Sequence, residues 1–209
     1  MTEERETVAG EDVALARAAA EGDSAAFELL IRRHTGRVYR IALRICGNPA
    51  DAEDVAQEVF LKLYRSLGKF QGESSFTTFL YRVTTNAALD FLRGRKRRET
   101  VPLETEENSP SAVLPDLDML PDERLERREL QRAVRRGIAK LPAGQRAALA
   151  LRELEGLSYA EVATVLGLSE GTVKSRIARG RERLRVILER EGTFFSGGPS
   201  NKKEGGERG

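Results

Sequence analysis

The 209-residue sequence contains no tryptophan, one cysteine (Cys46) and one histidine (His34). A single cysteine excludes an internal disulfide and suits a reducing compartment. With one histidine and one thiol, neither a Cys/His zinc cluster nor a His-activated nucleophile can be assembled. Aromatic residues make up only 6% of the chain, so a core has to come from Leu, Val, Ile and Ala. No apolar run approaches the roughly 18 residues of a membrane span. The N-terminal MTEERETVAGED is acidic and polar, unlike a signal peptide. The expectation is a soluble cytoplasmic protein without metal or cofactor and without catalytic residues.

What the sequence does have is charge, 33% of its residues, at a net of only +2. The near-neutral sum hides segregation along the chain. Residues 99–123 hold no Lys or Arg, but they hold Glu99, Glu104, Glu106, Glu107, Asp116, Asp118, Asp122 and Glu123. Pro102, Pro110, Pro115 and Pro121 interrupt helix in the same stretch. Five parts follow: a polar leader at 1–10, a helical domain at 11–98, an acidic flexible linker at 99–120, a second helical domain at 121–190, and a Gly-rich tail at 191–209 expected to be disordered.

Apolar residues in both domains recur at the helical period, and none alternate as in a strand, so the expected fold is all-α. Asn48-Pro49 offers an N-cap and first-turn residue, opening a helix with the stripe Ala52, Val55, Ala56, Val59, Phe60, Leu63, Tyr64 and Leu67. The preceding helix is expected to bury Phe27, Leu30, Ile31, Val38, Ala42 and Ile45, with His34 at the core edge. The following helix is expected to bury Phe76, Leu80, Val83, Ala87 and Phe91.

The sharpest motif spans residues 158–184. Ser158 and Glu161 have capping-box spacing, Gly167 suits a left-handed helix end, and Ser169 caps a longer helix. That second helix turns Val173, Ile177, Leu184 and Leu188 inward and carries Lys174, Arg176, Arg179, Arg181, Arg183 and Arg185. A short helix, a Gly turn and a basic helix make a DNA-reading helix-turn-helix. Thr172, Lys174, Ser175, Ala178 and Arg179 are its candidate base-reading residues. The later arginines suit phosphates.

In the first domain, Asp54, Gln57, Glu58, Leu61, Lys62 and Arg65 form the outer face of one helix. A leucine among charges there points to a protein partner. Further on, Phe70, Phe76, Phe79 and Tyr81 lie near Arg82, Asn86 and the basic run Arg93, Arg95, Lys96, Arg97 and Arg98. Aromatics beside cations suit melted DNA, whose bases stack while its phosphates need neutralising.

DAEDVAQEVFLKLYR and FQGESSFTTFLYRVTTNAALDFLR resemble region 2 of the extracytoplasmic-function sigma factors of the sigma-70 family. LPAGQRAALALRELEGLSYAEVA and EGTVKSRIARGRERL resemble region 4. The resemblance implies a factor that binds core RNA polymerase and directs promoter-specific initiation, held in check by an anti-sigma factor, in a stress or envelope response. Asp54, Gln57 and Glu58 match the polymerase-gripping face. Lys62, Phe70, Gln71, Arg82 and Asn86 match the surface that reads the −10 element and captures a flipped base. Thr172, Lys174, Ser175, Ala178 and Arg179 match the helix that reads the −35 element, Ala178 being smaller than the residue many relatives place there. The acidic linker matches a segment that threads the polymerase's RNA path.

Two other classes compete. A free-standing helix-turn-helix regulator would bring a dimerisation or ligand domain, and the first half offers neither a phosphorylatable Asp in a βα setting nor a Gly-rich ligand loop. A nucleic-acid enzyme would need metal-binding carboxylates. Asp51, Asp54 and Glu58 share helical spacing but read as a docking face.

Overall fold

A computed structural model describes residues 2–70, 75–99 and 121–190. Gln71, the linker beyond Glu99 and the Gly-rich tail lie outside the described residues. Among the described residues eight α-helices occur in the order α1 (Thr2–Ala20), α2 (Ser24–Cys46), α3 (Pro49–Ser66), α4 (Phe76–Glu99), α5 (Pro121–Ala139), α6 (Ala143–Leu149), α7 (Tyr159–Leu166) and α8 (Glu170–Arg190). No strand occurs among the described residues, as the helical periodicity implies. Helix α1 begins at Thr2, so helical backbone runs through the segment read as a polar leader.

Local chemistry sets the helix ends. Asp23 accepts hydrogen bonds from the backbone N–H groups of Ala25 and Ala26, at 2.9 and 3.0 Å, and so starts α2. Gly47, at φ 89°, closes α2 by donating to the Leu43 carbonyl. One residue later Asn48 accepts from Asp51 N–H at 2.8 Å, with Pro49 in the first turn, and α3 begins. The α2–α3 corner is thus made within three residues, and it sets the two helices against each other.

The core of the first half is mostly where the sequence puts it. Leu30, Val38, Ala42, Ile45, Ala52, Val55, Ala56, Val59, Leu63, Leu67, Phe76, Leu80 and Ala87 are buried. Phe27, Ile31, Phe60, Val83 and Phe91 are only half-buried. Tyr64 departs furthest from its stripe. It is 60% exposed, at the rim of the bundle, with its ring 5.1 Å from that of Phe27. A phenol at such a rim keeps its hydroxyl in water while its ring covers a neighbour.

His34 is buried, and its Nε2 lies 2.8 Å from Asp12 Oδ2, tying α2 to α1. Burial lowers its pKa from the ordinary histidine value, against the opposing pull of the Asp12 carboxylate.

The two halves are not separate beads. Helix α4 packs on α6 and α7, and α2 packs on α5 and α6. One continuous aliphatic cluster runs from Leu30 and Val55 through Ala88 to Ala148, Leu151, Val162 and Ile177. Polar contacts stitch the seam. Tyr81 donates from its hydroxyl to Glu155 Oε2 at 2.8 Å, and Arg37 lies 3.9 Å from the same carboxylate and 6.0 Å from the Tyr81 ring. Buried Arg146 reaches across to the carbonyl of Cys46 at 3.5 Å, and within its own half donates to that of Ala139 at 3.2 Å.

Glu155 owes its place to an irregularity. Helix α6 widens into a π turn at Ala150–Leu154, where the Glu155 N–H bonds to the Ala150 carbonyl five residues back. The extra residue in the turn re-aims the chain, and Gly156, at φ 72°, then redirects it toward α7.

Cys46 lies at this seam, 7% exposed. Burial raises its pKa to about 12, with nearby Asp51 adding to the shift. The thiolate is the reactive form, so at pH 8 a thiol reagent is expected to label native protein roughly a thousandfold more slowly than the urea-unfolded chain, given a free-cysteine pKa of about 8.5. Equal rates in the two states would contradict a closed seam.

Candidate nucleic-acid interface

The helix-turn-helix is assembled from reciprocal caps. Ser158 Oγ accepts from the Glu161 N–H at 3.2 Å, and Glu161 Oε2 accepts from the Ser158 N–H at 2.7 Å. Those bonds hold the Glu161 carboxyl below its ordinary pKa. Gly167 ends α7 at φ 63°, in the left-handed region. Ser169 Oγ accepts from the Thr172 N–H at 3.3 Å and starts α8.

Inward, α8 buries Val173, Ile177 and Leu188, while Leu184 is half-buried. Gly180 faces α6 so closely that an added Cβ would stand 2.8 Å from Leu149 Cδ1. A larger residue would push α8 off its support.

Outward, the five candidate reading residues share the first turns of α8. Lys174, Ala178 and Arg179 are exposed, and Thr172 and Ser175 are half-buried. The Ser175 hydroxyl is spent on the Thr172 carbonyl at 2.9 Å, and the Thr172 and Ser169 hydroxyls bond each other at 2.8 Å. Lys174 is held by Glu170 at 2.7 Å. The cations of α8 therefore fall into two groups. Arg181 is paired to Glu153, and Arg185 to Glu182 and Glu189. Arg179 and Arg183 are exposed and pair with no carboxylate among the described residues. Charge counting along the sequence could not separate these groups, because Glu153 comes from the π turn.

Sequence reasoning also missed Tyr159. Its ring has the Arg152 guanidinium 4.8 Å from its centroid and Lys174 Nζ at 5.6 Å, two cations on one aromatic.

In the first half, Asp54, Gln57 and Glu58 stand exposed on α3, with Leu61 beside them at 54% exposure. Lys62, half-buried, lies 3.5 Å from Glu58, so the acidic face grades directly into the next group. Phe70 follows the 3-10 turn Leu67–Lys69 and packs its ring 5.9 Å from Phe76 and 5.3 Å from Phe79. The Arg82 guanidinium lies 5.5 Å from the Phe79 ring. Asn86, one turn further along α4, is exposed and makes no hydrogen bond among the described residues. Half-buried Phe70 and exposed Arg82 and Asn86 thus neighbour one another over Phe79, whose own ring is buried in the core. Lys62 belongs to α3, and Gln71 lies outside the described residues. At the far end of α4, Arg95 pairs with Asp51 at 2.5 Å.

No group of three or more His, Cys, Asp or Glu residues suited to a metal ion occurs among the described residues. No described helix is long and apolar enough to cross a membrane.

Comparison with known proteins agrees with this geometry. Residues 30–98 match the family pattern of sigma-70 region 2, and residues 131–184 that of sigma-70 region 4. The RNA polymerase sigma-H factor of Pseudomonas aeruginosa is 38% identical over 183 residues, 86% of this chain and 94% of that one. The ECF RNA polymerase sigma-E factor of Haemophilus influenzae is 41% identical over 175 residues, covering 82% of this chain and 92% of that one. Among solved structures, CnrH in complex with the cytosolic domain of CnrY superposes with a TM-score of 0.61 at 28% identity, covering 87% of this chain and 99% of that one. The sigma factor RpoE of Bartonella quintana, solved with the anti-sigma factor NepR, shares the fold at TM-score 0.60 and 24% identity, over 78% of this chain and 96% of that one.

Ser158→Ala removes one half of the capping box and is expected to destabilise the protein by about 1 kcal/mol in urea unfolding. Unchanged stability would mean that the α7 start is held by packing alone.

Proposed function

This chain belongs to the extracytoplasmic-function sigma factors of the sigma-70 family, and from that membership we propose how its surfaces divide the work of initiation. It is an RNA polymerase sigma factor, binding core polymerase and directing promoter-specific transcription. The exposed α3 face of Asp54, Gln57 and Glu58, with Leu61, docks on the polymerase. Such a face offers carboxylates for a basic partner and one apolar anchor. The path from Phe70 through Arg82 to Asn86 takes the −10 element after melting, with Lys62 and Gln71 beside it. The Phe70 ring stabilises an extruded base, and the Asn86 amide reads its edge. The recognition helix α8 takes the −35 element in the major groove. Domain limits near residues 11–98 and 121–190 fit this division.

What supports the reading is the pairing, in one chain, of a basic helix with a face that carries Phe70, Arg82 and Asn86. One is a duplex-reading helix whose Arg179 and Arg183 lack carboxylate partners among the described residues, and the other is an aromatic-cation path suited to single strands. A free-standing regulator has no use for the second. Each face alone binds weakly, and joining them through the polymerase raises the effective concentration of one once the other is engaged. The mechanism is binding throughout, with no covalent step and no catalytic residue, and it operates in the cytoplasm.

An anti-sigma factor completes the proposal. The likeness to CnrH, solved with the cytosolic domain of another protein, supports a protein partner that occupies the faces described above until a stress signal releases it.

Run-off transcription with core polymerase on a library of randomised promoters tests the assignment. Transcripts should share two spaced elements. Arg179→Ala is expected to reduce discrimination at one base of the upstream element by about 1–3 kcal/mol; an unchanged preference at every upstream position would remove Arg179 from the reading set. Asn86→Ala is expected to impair open-complex formation, followed by permanganate footprinting, while polymerase binding stays at the wild-type level. Loss of both together would indicate a structural role for Asn86.

A further inference from the structure

Glu170 is the anomaly of the reading face. It is the one acid among residues 170–181, and it stands exposed at the start of the helix, where DNA phosphates would repel it. Its Oε1 lies 2.7 Å from Lys174 Nζ, one turn further along the same side. We infer that Glu170 determines specificity in the −35 contact, forming with Lys174 an acceptor–donor pair that fits the major-groove edge of a single cytosine–guanine pair. The inference rests on α8 being the recognition helix.

The chemistry of that edge carries the argument. Cytosine presents its N4 amino group as a donor, and guanine presents O6 and N7 as acceptors. N4 and O6 are bonded to each other across the base pair at about 2.9 Å, an ordinary N–H···O separation. Glu170 and Lys174 offer the complementary acceptor and donor at nearly the same spacing. Neither has to abandon the other on binding. The carboxylate has about four lone-pair sites and the ammonium three hydrogens, so their ion pair survives while Glu170 accepts from N4 and Lys174 donates to O6. No unpaired charge is buried, which removes the main cost of taking a carboxylate into a protein–DNA interface.

Lys174 is also braced from behind. The Tyr159 ring lies 5.6 Å from its Nζ, and Arg152 lies on the same ring, which limits how far the ammonium can swing toward a phosphate. The plainer account of Glu170 is a first-turn acid favoured by the helix dipole and by an i,i+4 ion pair. That account gives Glu170 an effect on stability alone and none on base preference, so the two are separable.

The test is run-off transcription with the full chain and core polymerase on promoters randomised across the upstream element, for wild type, Glu170→Ala, Glu170→Gln, Lys174→Ala and Arg179→Ala. Wild type should prefer a cytosine–guanine pair at one position. Glu170→Ala should weaken that preference roughly tenfold, the size of one good base contact, and leave other positions alone. Lys174→Ala should relax the same base pair. Glu170→Gln should move the preference toward adenine, because an amide pairs with adenine N6 and N7. An unchanged profile in Glu170→Ala, alongside an altered one in Arg179→Ala, would overturn the role of Glu170 and leave α8 as the reading helix. Unchanged profiles in all four variants would overturn the reading of α8 itself, and the inference with it.

Discussion

The aliphatic seam between α2/α4 and α6/α7 is the constraint on which the rest of the structure depends. Among the described residues each half holds four α-helices, and its core is made of small aliphatic side chains with few aromatics. Little of the surface of so small a bundle can be withdrawn from water on its own. Joining the halves puts Ala148, Leu151 and Val162 into the same cluster as Val55 and Ala88. Directionality comes from polar groups. Tyr81 meets Glu155, and Arg146 reaches the carbonyl of Cys46. Burying a guanidinium is costly, and desolvation pulls the Arg146 pKa down. Its bond to the Ala139 carbonyl lies within the second half, whereas its contact with the Cys46 carbonyl crosses the seam and forms only when the halves are docked. The seam gains specificity from a group that adds little net stability.

That seam uses up one face of each half and leaves the others exposed. The acidic side of α3, Arg82 and Asn86 on α4 and the basic side of α8 are all still open to solvent. Function is thus carried by what the packing leaves over. The same logic sorts the cations. Those near the π turn or the helix end meet Glu153, Glu182 or Glu189, whereas Arg179 and Arg183 meet no acid among the described residues. A surface that looks uniformly basic along the sequence becomes one with a small number of available charges.

Local features were legible in the sequence for local reasons. The caps at Asn48, Ser158 and Ser169 and the left-handed Gly167 each depend on residues within four positions of one another, so spacing alone reveals them. The buried stripes of α2, α3 and α4 could be read the same way, except at the rim, where Tyr64 follows the period yet lies too far out to be covered. The seam could not be read. Cys46 and Arg146 are 100 positions apart, and Tyr81 and Glu155 are 74 apart, and no periodicity links them. The π turn was equally silent, because ALREL reads as ordinary helix and widens only under the demands of packing. Among the candidate site residues, exposure of Asp54, Gln57, Glu58, Arg82, Asn86, Lys174 and Arg179 followed from the helical period. The capture of the Ser175 hydroxyl by its own helix, and the bracing of Lys174 on Tyr159, emerged only with the fold.

The central claim is that two faces of one chain, positioned together on the polymerase, read two promoter elements at once. A spacer series tests it most directly. Promoters carrying both elements, with the intervening DNA lengthened or shortened one base pair at a time, would be transcribed by core polymerase and this chain. Each added base pair moves one element along the helix axis and rotates it about that axis, so simultaneous engagement should give a sharp optimum at one length with steep loss on either side. Transcription that stays level across the series would mean that a single face carries recognition, and the account would be wrong.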